Sequence, residues 1–314
     1  MAQSAQMKIL SLSPAGTEIL CALGLRDSLV GRSHSCDYPA DVLDLPAMTV
    51  NAIADTNDAA IDKQVSQRAH AGEDSFTLRM DAIEAAQPDL IITRAMREKN
   101  IVWPANARVI ILNPSTIDDI FQSIISIGEA TNTSQAANEL VQSLRARLDH
   151  VRDAVKDVVH HPTVAALEWL DPPFSPGHWV PQQIEIAGGR SALGEAGQPS
   201  QRIDWDDVIG SQAEMAVMMP CAKDIAGSVQ AFIDVADLDV WRDLPATYLW
   251  QLYAVDASAY FSRPGPRVID GVEILAGMIH PHLWPASGPE QALRVNDVLE
   301  TQMRVDKNRR LRLE

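Results

Sequence analysis

The chain has 314 residues, 46% hydrophobic and 22% charged, the composition of an ordinary globular protein long enough for two domains, each with its own core. A formal charge of −16 excludes a general nucleic-acid binder and disfavours an anionic membrane surface, because both need clustered Lys and Arg. No run reaches the roughly 18 consecutive apolar residues of a membrane span, so membrane insertion is not expected.

Short apolar runs alternate with helical patterns, which predicts an α/β fold of parallel sheets with crossover helices, arranged as two Rossmann-like lobes. Met7–Leu12 is the first predicted strand. Pro14-Ala15-Gly16-Thr17 turns into a helix carrying Ile19, Leu20, Cys21 (read as buried) and Leu23, stopped at Gly24. Leu29–Arg32 is a second strand. Asp81–Ala86 is a helix ending before Pro88, Asp89–Thr93 and Arg108–Leu112 are buried strands, and the helix Ile117–Ala130 completes an N-terminal lobe over 1–132.

Over 133–160, Leu140, Leu144, Leu148, Val151, Val155 and Val158 make one apolar stripe. We expect a long, rigid connecting helix; a coiled-coil seam would need more heptads and flanking charge pairs. The C-terminal lobe, 161–287, is expected to hold strands at Thr163–Trp169, Met215–Met219 and Tyr253–Asp256. Its helices are expected at Val180–Ala187, ended by Gly188-Gly189, and at Glu273–Ile279. Residues 288–314 read as a charged helical tail with a basic end.

The first twenty residues show no apolar core of a secretory leader. The expected compartment is therefore the cytosol as the sequence stands, and the periplasm if a leader is missing from it. Three cysteines without a CxxC pair argue against a disulfide framework.

Polar and aromatic residues concentrate in segments after strands, where open parallel sheets bind ligands. In Ser33-His34-Ser35-Cys36-Asp37-Tyr38-Pro39, His34 and Cys36 suit either a soft metal or an activated thiolate, and the whole loop suits a ligand contact. The richest stretch is Glu168-Trp169-Leu170-Asp171-Pro172-Pro173-Phe174-Ser175-Pro176-Gly177-His178-Trp179-Val180-Pro181. It is either a stiff aromatic face for a flat ligand or a turn whose rings fill the core. Tyr260-Phe261-Ser262-Arg263-Pro264-Gly265-Pro266-Arg267 adds two aromatics and two guanidinium forks, for a ligand's carboxylate, phosphate or amide groups or for structural ion pairs. Cys221 would face the same region or be a buried inert thiol. His160-His161 and His280-Pro281-His282 read as solvated turns. Without GxGxxG, P-loop, HExxH or GxSxG motifs, an enzyme is not expected.

Ile9–Leu20, Val30–Pro39, Pro88–Thr93, Glu168–Pro181, Ala187–Gly189 and Tyr260–His280 together identify the chain as similar to the cobalamin-binding-protein-like branch of the class III periplasmic binding proteins, the helical-backbone receptors of ABC importers. The resemblance implies a substrate-binding protein holding a corrinoid or other metal chelate between loops of two lobes joined by a long helix, with an ABC permease as partner and no required cofactor. It implies stacking by Tyr38, Trp103, Trp169, Phe174, Trp179, Tyr260 and Phe261, and permease docking through one acid per lobe, Asp81 in the first. Two departures stand out: Thr93-Arg94-Ala95-Met96-Arg97 replaces a Cys-containing loop, and Gln182 replaces a usual Glu. The alternative is a cytosolic metal- or metal-chelate-handling protein on the same fold, enzymatic or not, using His34, Cys36, His178 and Cys221.

Overall fold

The computed structural model describes residues 6–54, 57–98, 100–237 and 239–299. Contacts gather them into two units: one runs to Pro114 and takes in Asp118–Leu144, the other holds Ser115–Ile117 and everything from Arg145 onward. The first unit is built from β1 (Ile9–Ser11), α1 (Pro14–Ala22), β2 (Leu29–Arg32), β3 (Thr49–Asn51), α2 (Asp58–His70), β4 (Phe76–Leu78), α3 (Met80–Ala86), β5 (Leu90–Arg94), β6 (Arg108–Leu112) and most of α4 (Ile117–Ala130). The helix α5 (Ser134–Val155) contributes residues 134–144 to the first unit and 145–155 to the second.

In the first unit four parallel strands lie in the order β2-β1-β5-β6. β1 and β5 are the inner strands, so Ile9, Leu10, Ile91 and Ile92 are wholly buried and an uninterrupted apolar run, rather than an alternating one, encodes them. α1 opens on Ser13, whose hydroxyl accepts the Gly16 N–H, and on Pro14 in the first helical turn. A Cβ on Gly16 would stand 2.6 Å from Ile92 Cγ2, so this glycine is what lets α1 approach the sheet. Apart from the main sheet, β3 and β4 pair antiparallel, with Asn51 opposite Phe76.

The second unit continues with β7 (Thr163–Leu167), β8 (Trp169–Leu170), β9 (Pro173–Phe174), α6 (Val180–Ile186), β10 (Arg190–Ser191), α7 (Trp205–Gly210), β11 (Met215–Met218), α8 (Ile225–Val235), α9 (Val240–Asp243), α10 (Pro245–Tyr248), β12 (Leu252–Val255), α11 (Ala257–Tyr260), α12 (Val268–Ile279) and β13 (Ala292–Arg294). Its sheet has the order β10-β7-β11-β12-β13, parallel except for β13. Behind it, Trp241 is fully buried, edge-on to Phe232 at 5.1 Å and to Trp205 at 5.4 Å, with its indole N–H donated to the Val235 carbonyl.

The α/β class and the parallel sheets agree with the sequence reading; several details differ. α5 stops at Val155, five residues short of the expected end, and Val141 is buried where the stripe placed Leu140. The expected strand through Trp169 ends at Leu167, and Trp169 begins the short β8–β9 hairpin. The segment expected to be a charged helix first supplies β13, whose Leu293 pairs with Ala254 because the free edge of β12 offers a ladder of unpaired backbone groups, and it turns helical only at 296–299. The rest of that tail, 300–314, lies outside the described residues. His280, expected in a solvated turn, is buried as the C-cap of α12 and lies 3.2 Å from the Gly188 carbonyl. Among the described residues no helix is long and apolar enough to cross a membrane.

Candidate ligand-binding site

In the first unit the loop after β2 carries His34 to Tyr38. Its two metal candidates turn to different partners. Cys36 is fully buried, with Sγ 3.0 Å from both Thr17 Oγ1 and Ser33 Oγ. His34 is half-buried and anchored on β3: Thr49 Oγ1 accepts its backbone N–H at 2.8 Å and lies 2.6 Å from Nδ1. Burial, reinforced by Arg94 and Arg32, holds the His34 imidazole below its ordinary range. Its ring is 6.2 Å from Phe76, and the Arg94 guanidinium lies 5.0 Å from the Phe76 centroid while pairing with the buried Asp74 at 3.7 Å. Asp37 and Tyr38 are exposed. Trp103 packs partly on the core formed by Leu10, Leu12, Met48, Ile83 and Ile91.

In the second unit Glu168 organises the aromatic loop. Oε1 accepts the Gly177 N–H at 3.0 Å and Oε2 accepts the Ser200 hydroxyl. Burial pushes its carboxyl up, and those two donors pull the other way. Gly177 is required here, since a Cβ would stand 2.2 Å from Ser200 N. Next to it His178 takes the left-handed conformation, φ 53°, with its N–H on the Gln198 carbonyl at 2.6 Å. Burial also holds the His178 imidazole below its ordinary range.

The loops that follow β7, β11 and β12 leave the same edge of the parallel sheet. Trp169 and Phe174 face each other across the hairpin, and Lys223 Nζ sits 5.5 Å from the Trp169 ring. Arg267 Cζ is 5.9 Å from the half-exposed Tyr260 ring. Asp256 caps α11 by accepting the Ala259 N–H at 2.8 Å. Burial raises its carboxyl, with Asp224 adding to the effect, while Arg267 and Arg263 act against it. Arg263 and Arg267 therefore answer to a carboxylate of the protein, whatever else they contact. Beneath them the fully buried Gln183 donates to the Tyr260 and Val268 carbonyls at 3.1 and 2.8 Å.

Two aromatic expectations are corrected. Trp179 and Phe261 are 7% and 2% exposed, and the Trp179 indole donates to the Phe261 carbonyl at 2.8 Å. These rings join the start of α6 to the loop after α11; they present no stacking face. Cys221, for which burial was the plainer expectation, is exposed, with its N–H on the Glu168 carbonyl at 2.9 Å. Among the described residues no three His, Cys, Asp or Glu side chains converge as metal ligands.

Sequence reasoning missed Thr49, Phe76 and Arg94 in the first unit and Lys223, Gln183 and Ser200 in the second. Lys223 was findable, because it lies in the loop that follows a strand expected to end at Met219. Phe76 was not, since β4 is three residues long. The arrangement presents flat rings with cations over them, which suits a planar, partly apolar ligand with a polar rim.

Residues 9–259 match the family described as periplasmic binding protein. The chain is 25% identical to an uncharacterized ABC transporter substrate-binding lipoprotein of Bacillus subtilis, over 87% of this chain and 80% of that one. It is 22% identical to a vitamin B12-binding protein of Vibrio cholerae, over 85% and 86%. Its fold is also that of the periplasmic heme-binding protein from Roseiflexus sp. RS-1, with TM-score 0.65 and 20% identity over 88% of this chain and 99% of that one. With its two parallel-sheet units in the class III periplasmic binding protein fold, this chain belongs to the periplasmic binding protein family.

Proposed function

We propose that this protein is the substrate-binding component of an ABC importer and that its ligand is a cobalamin or related corrinoid. The observation that carries the reading is the strand-end edge of the second unit, where Trp169 and Tyr260 are each covered by a cation, Lys223 and Arg267. A ring offers the apolar face of a macrocycle dispersion and area, and a neighbouring cation meets polar groups on its rim. The vitamin B12-binding relatives favour corrinoids over the heme that a structural neighbour binds.

Permease docking is assigned to two exposed acids in equivalent places. Asp81 is the second residue of α3 and Asp206 the second residue of α7. Each helix is followed by a left-handed glutamine, Gln87 (φ 45°) or Gln212 (φ 48°), before the next parallel strand. Asp81→Lys with Asp206→Lys should leave ligand affinity unchanged and abolish stimulation of the importer's ATPase; unchanged stimulation would remove the assignment.

The deciding experiment is a thermal-shift screen with cyanocobalamin, cobinamide, hemin, a ferric hydroxamate and divalent metals, followed by titration calorimetry. A ligand at a hundredfold excess over its Kd stabilises by about 2.7 kcal/mol, a shift of several degrees for a chain of this size. Corrinoid-specific shifts that weaken in Trp169→Ala support the reading. The absence of heat and of any shift with every corrinoid sinks it.

A further inference from the structure

Resting on the receptor reading and deepening it, we propose that His34 Nε2 is an axial ligand for the metal of a flat macrocycle that carries an exchangeable axial position.

Four observations lead there. His34 lies in the loop leaving the carboxyl end of β2, the edge at which parallel sheets bind ligands. Its other ring nitrogen is already committed, since Nδ1 lies 2.6 Å from Thr49 Oγ1, and the same oxygen accepts the His34 backbone N–H at 2.8 Å. Thr49 is 2% exposed and belongs to β3, so this tether holds both the position and the rotation of the ring. Such an outer partner on one nitrogen is how metal-binding imidazoles are commonly oriented. Nε2, by contrast, has no hydrogen-bond partner among the described residues and is not among the buried unpaired side-chain atoms, so it is open to a ligand. Finally, burial with Arg94 and Arg32 nearby favours the neutral ring, the form that coordinates metals.

The step balances without redox chemistry. With Nδ1–H donating to Thr49 Oγ1, the Nε2 lone pair displaces a water from the metal, and no electron changes hands. Cys36 does not compete for the metal, because its sulfur is enclosed by Thr17 and Ser33. The Phe76 ring at 6.2 Å and the Arg94 guanidinium beside it supply a wall and a cation at the same edge.

The test uses the full chain, His34→Ala and Thr49→Val, each titrated with aquocobinamide, hemin and dicyanocobinamide while the visible spectrum is recorded. Aquocobinamide and hemin distinguish the two sources of such a macrocycle, and dicyanocobinamide has both axial positions blocked. For the macrocycle that binds, we expect the wild type to shift its visible bands and added cyanide, by displacing the imidazole, to replace them with the bands of the cyano complex. His34→Ala should lose the shift and about tenfold or more of the affinity, with Thr49→Val between the two. Equal binding of dicyanocobinamide by wild type and His34→Ala shows the variant to be folded. Binding with the spectrum of the free macrocycle, or a shift that persists in His34→Ala, overturns the assignment and leaves the receptor reading standing. Failure of all three probes to bind the wild type overturns both.

Discussion

Glu168 shows how a single buried carboxyl can hold a binding loop and tax the fold at the same time. Its two oxygens satisfy the Gly177 N–H and the Ser200 hydroxyl, yet desolvation raises its pKa above the ordinary 4.5. A carboxyl raised in the folded state binds protons more readily there than in the unfolded chain. Its contribution to stability is therefore fully present below about 4.5 and is lost as pH rises through the higher folded value. Glu168→Gln removes the charge and keeps an acceptor for Gly177. The stability of Glu168→Gln relative to wild type should thus increase from pH 4.5 to pH 7 in urea melts; a gap that stays flat or shrinks with pH rules this account out. At this scale the sequence was partly legible. Glu168, Trp169 and Tyr260 stood out because they lie at or just after strand ends, in loops that gather aromatic rings in an aromatic-poor chain. Thr49, Phe76 and Arg94 did not, because β3, β4 and the end of β5 bring them to His34 from segments separate in sequence.

Among elements, α5 is held to α12 within the second unit by one fork. Arg147 donates through Nε to Glu273 Oε1 at 2.9 Å and through Nη2 to Glu273 Oε2 at 2.6 Å, with Asp270 on the same nitrogen. The bidentate geometry is the favourable kind, and the two acids hold the guanidinium above its ordinary pKa. All three side chains are about a third exposed, so solvent screening limits the worth of the set. Arg147→Ala should cost about 1 kcal/mol at low salt, including the repulsion left between Asp270 and Glu273, and about half that in 1 M NaCl. Urea melts at the two salt concentrations measure it, and a cost that does not fall with salt would point to lost packing of the arginine stem. The helices and strands themselves were read most reliably where burial is continuous, as in Ile9–Ser11 and Leu90–Arg94. The short elements α7, α9, α10 and β13 escaped because three to six residues carry no period, and β13 forms only by completing the edge of β12.

At the scale of the whole molecule, the question is whether two contact units unfold as one. Each has its own buried core, and α5 is common to both, with Val141 and Leu144 buried in its first half and Leu148, Val151 and Val155 in its second. An interrupted helix loses its backbone ladder from the break outward, so melting one half of α5 exposes the apolar stripe of the other. That argues for a single cooperative transition. Trp241 is a suitable lever, because it is fully buried in the second unit's core against Phe232, far along the chain from any residue of the first unit. Trp241→Ala should cost about 3–5 kcal/mol, a large fraction of the 5–15 kcal/mol that ordinary domains possess. In scanning calorimetry we expect one peak displaced downward by on the order of ten degrees. If instead the peak splits, with one component left at the wild-type temperature, the first unit melts on its own and α5 does not couple the two cores.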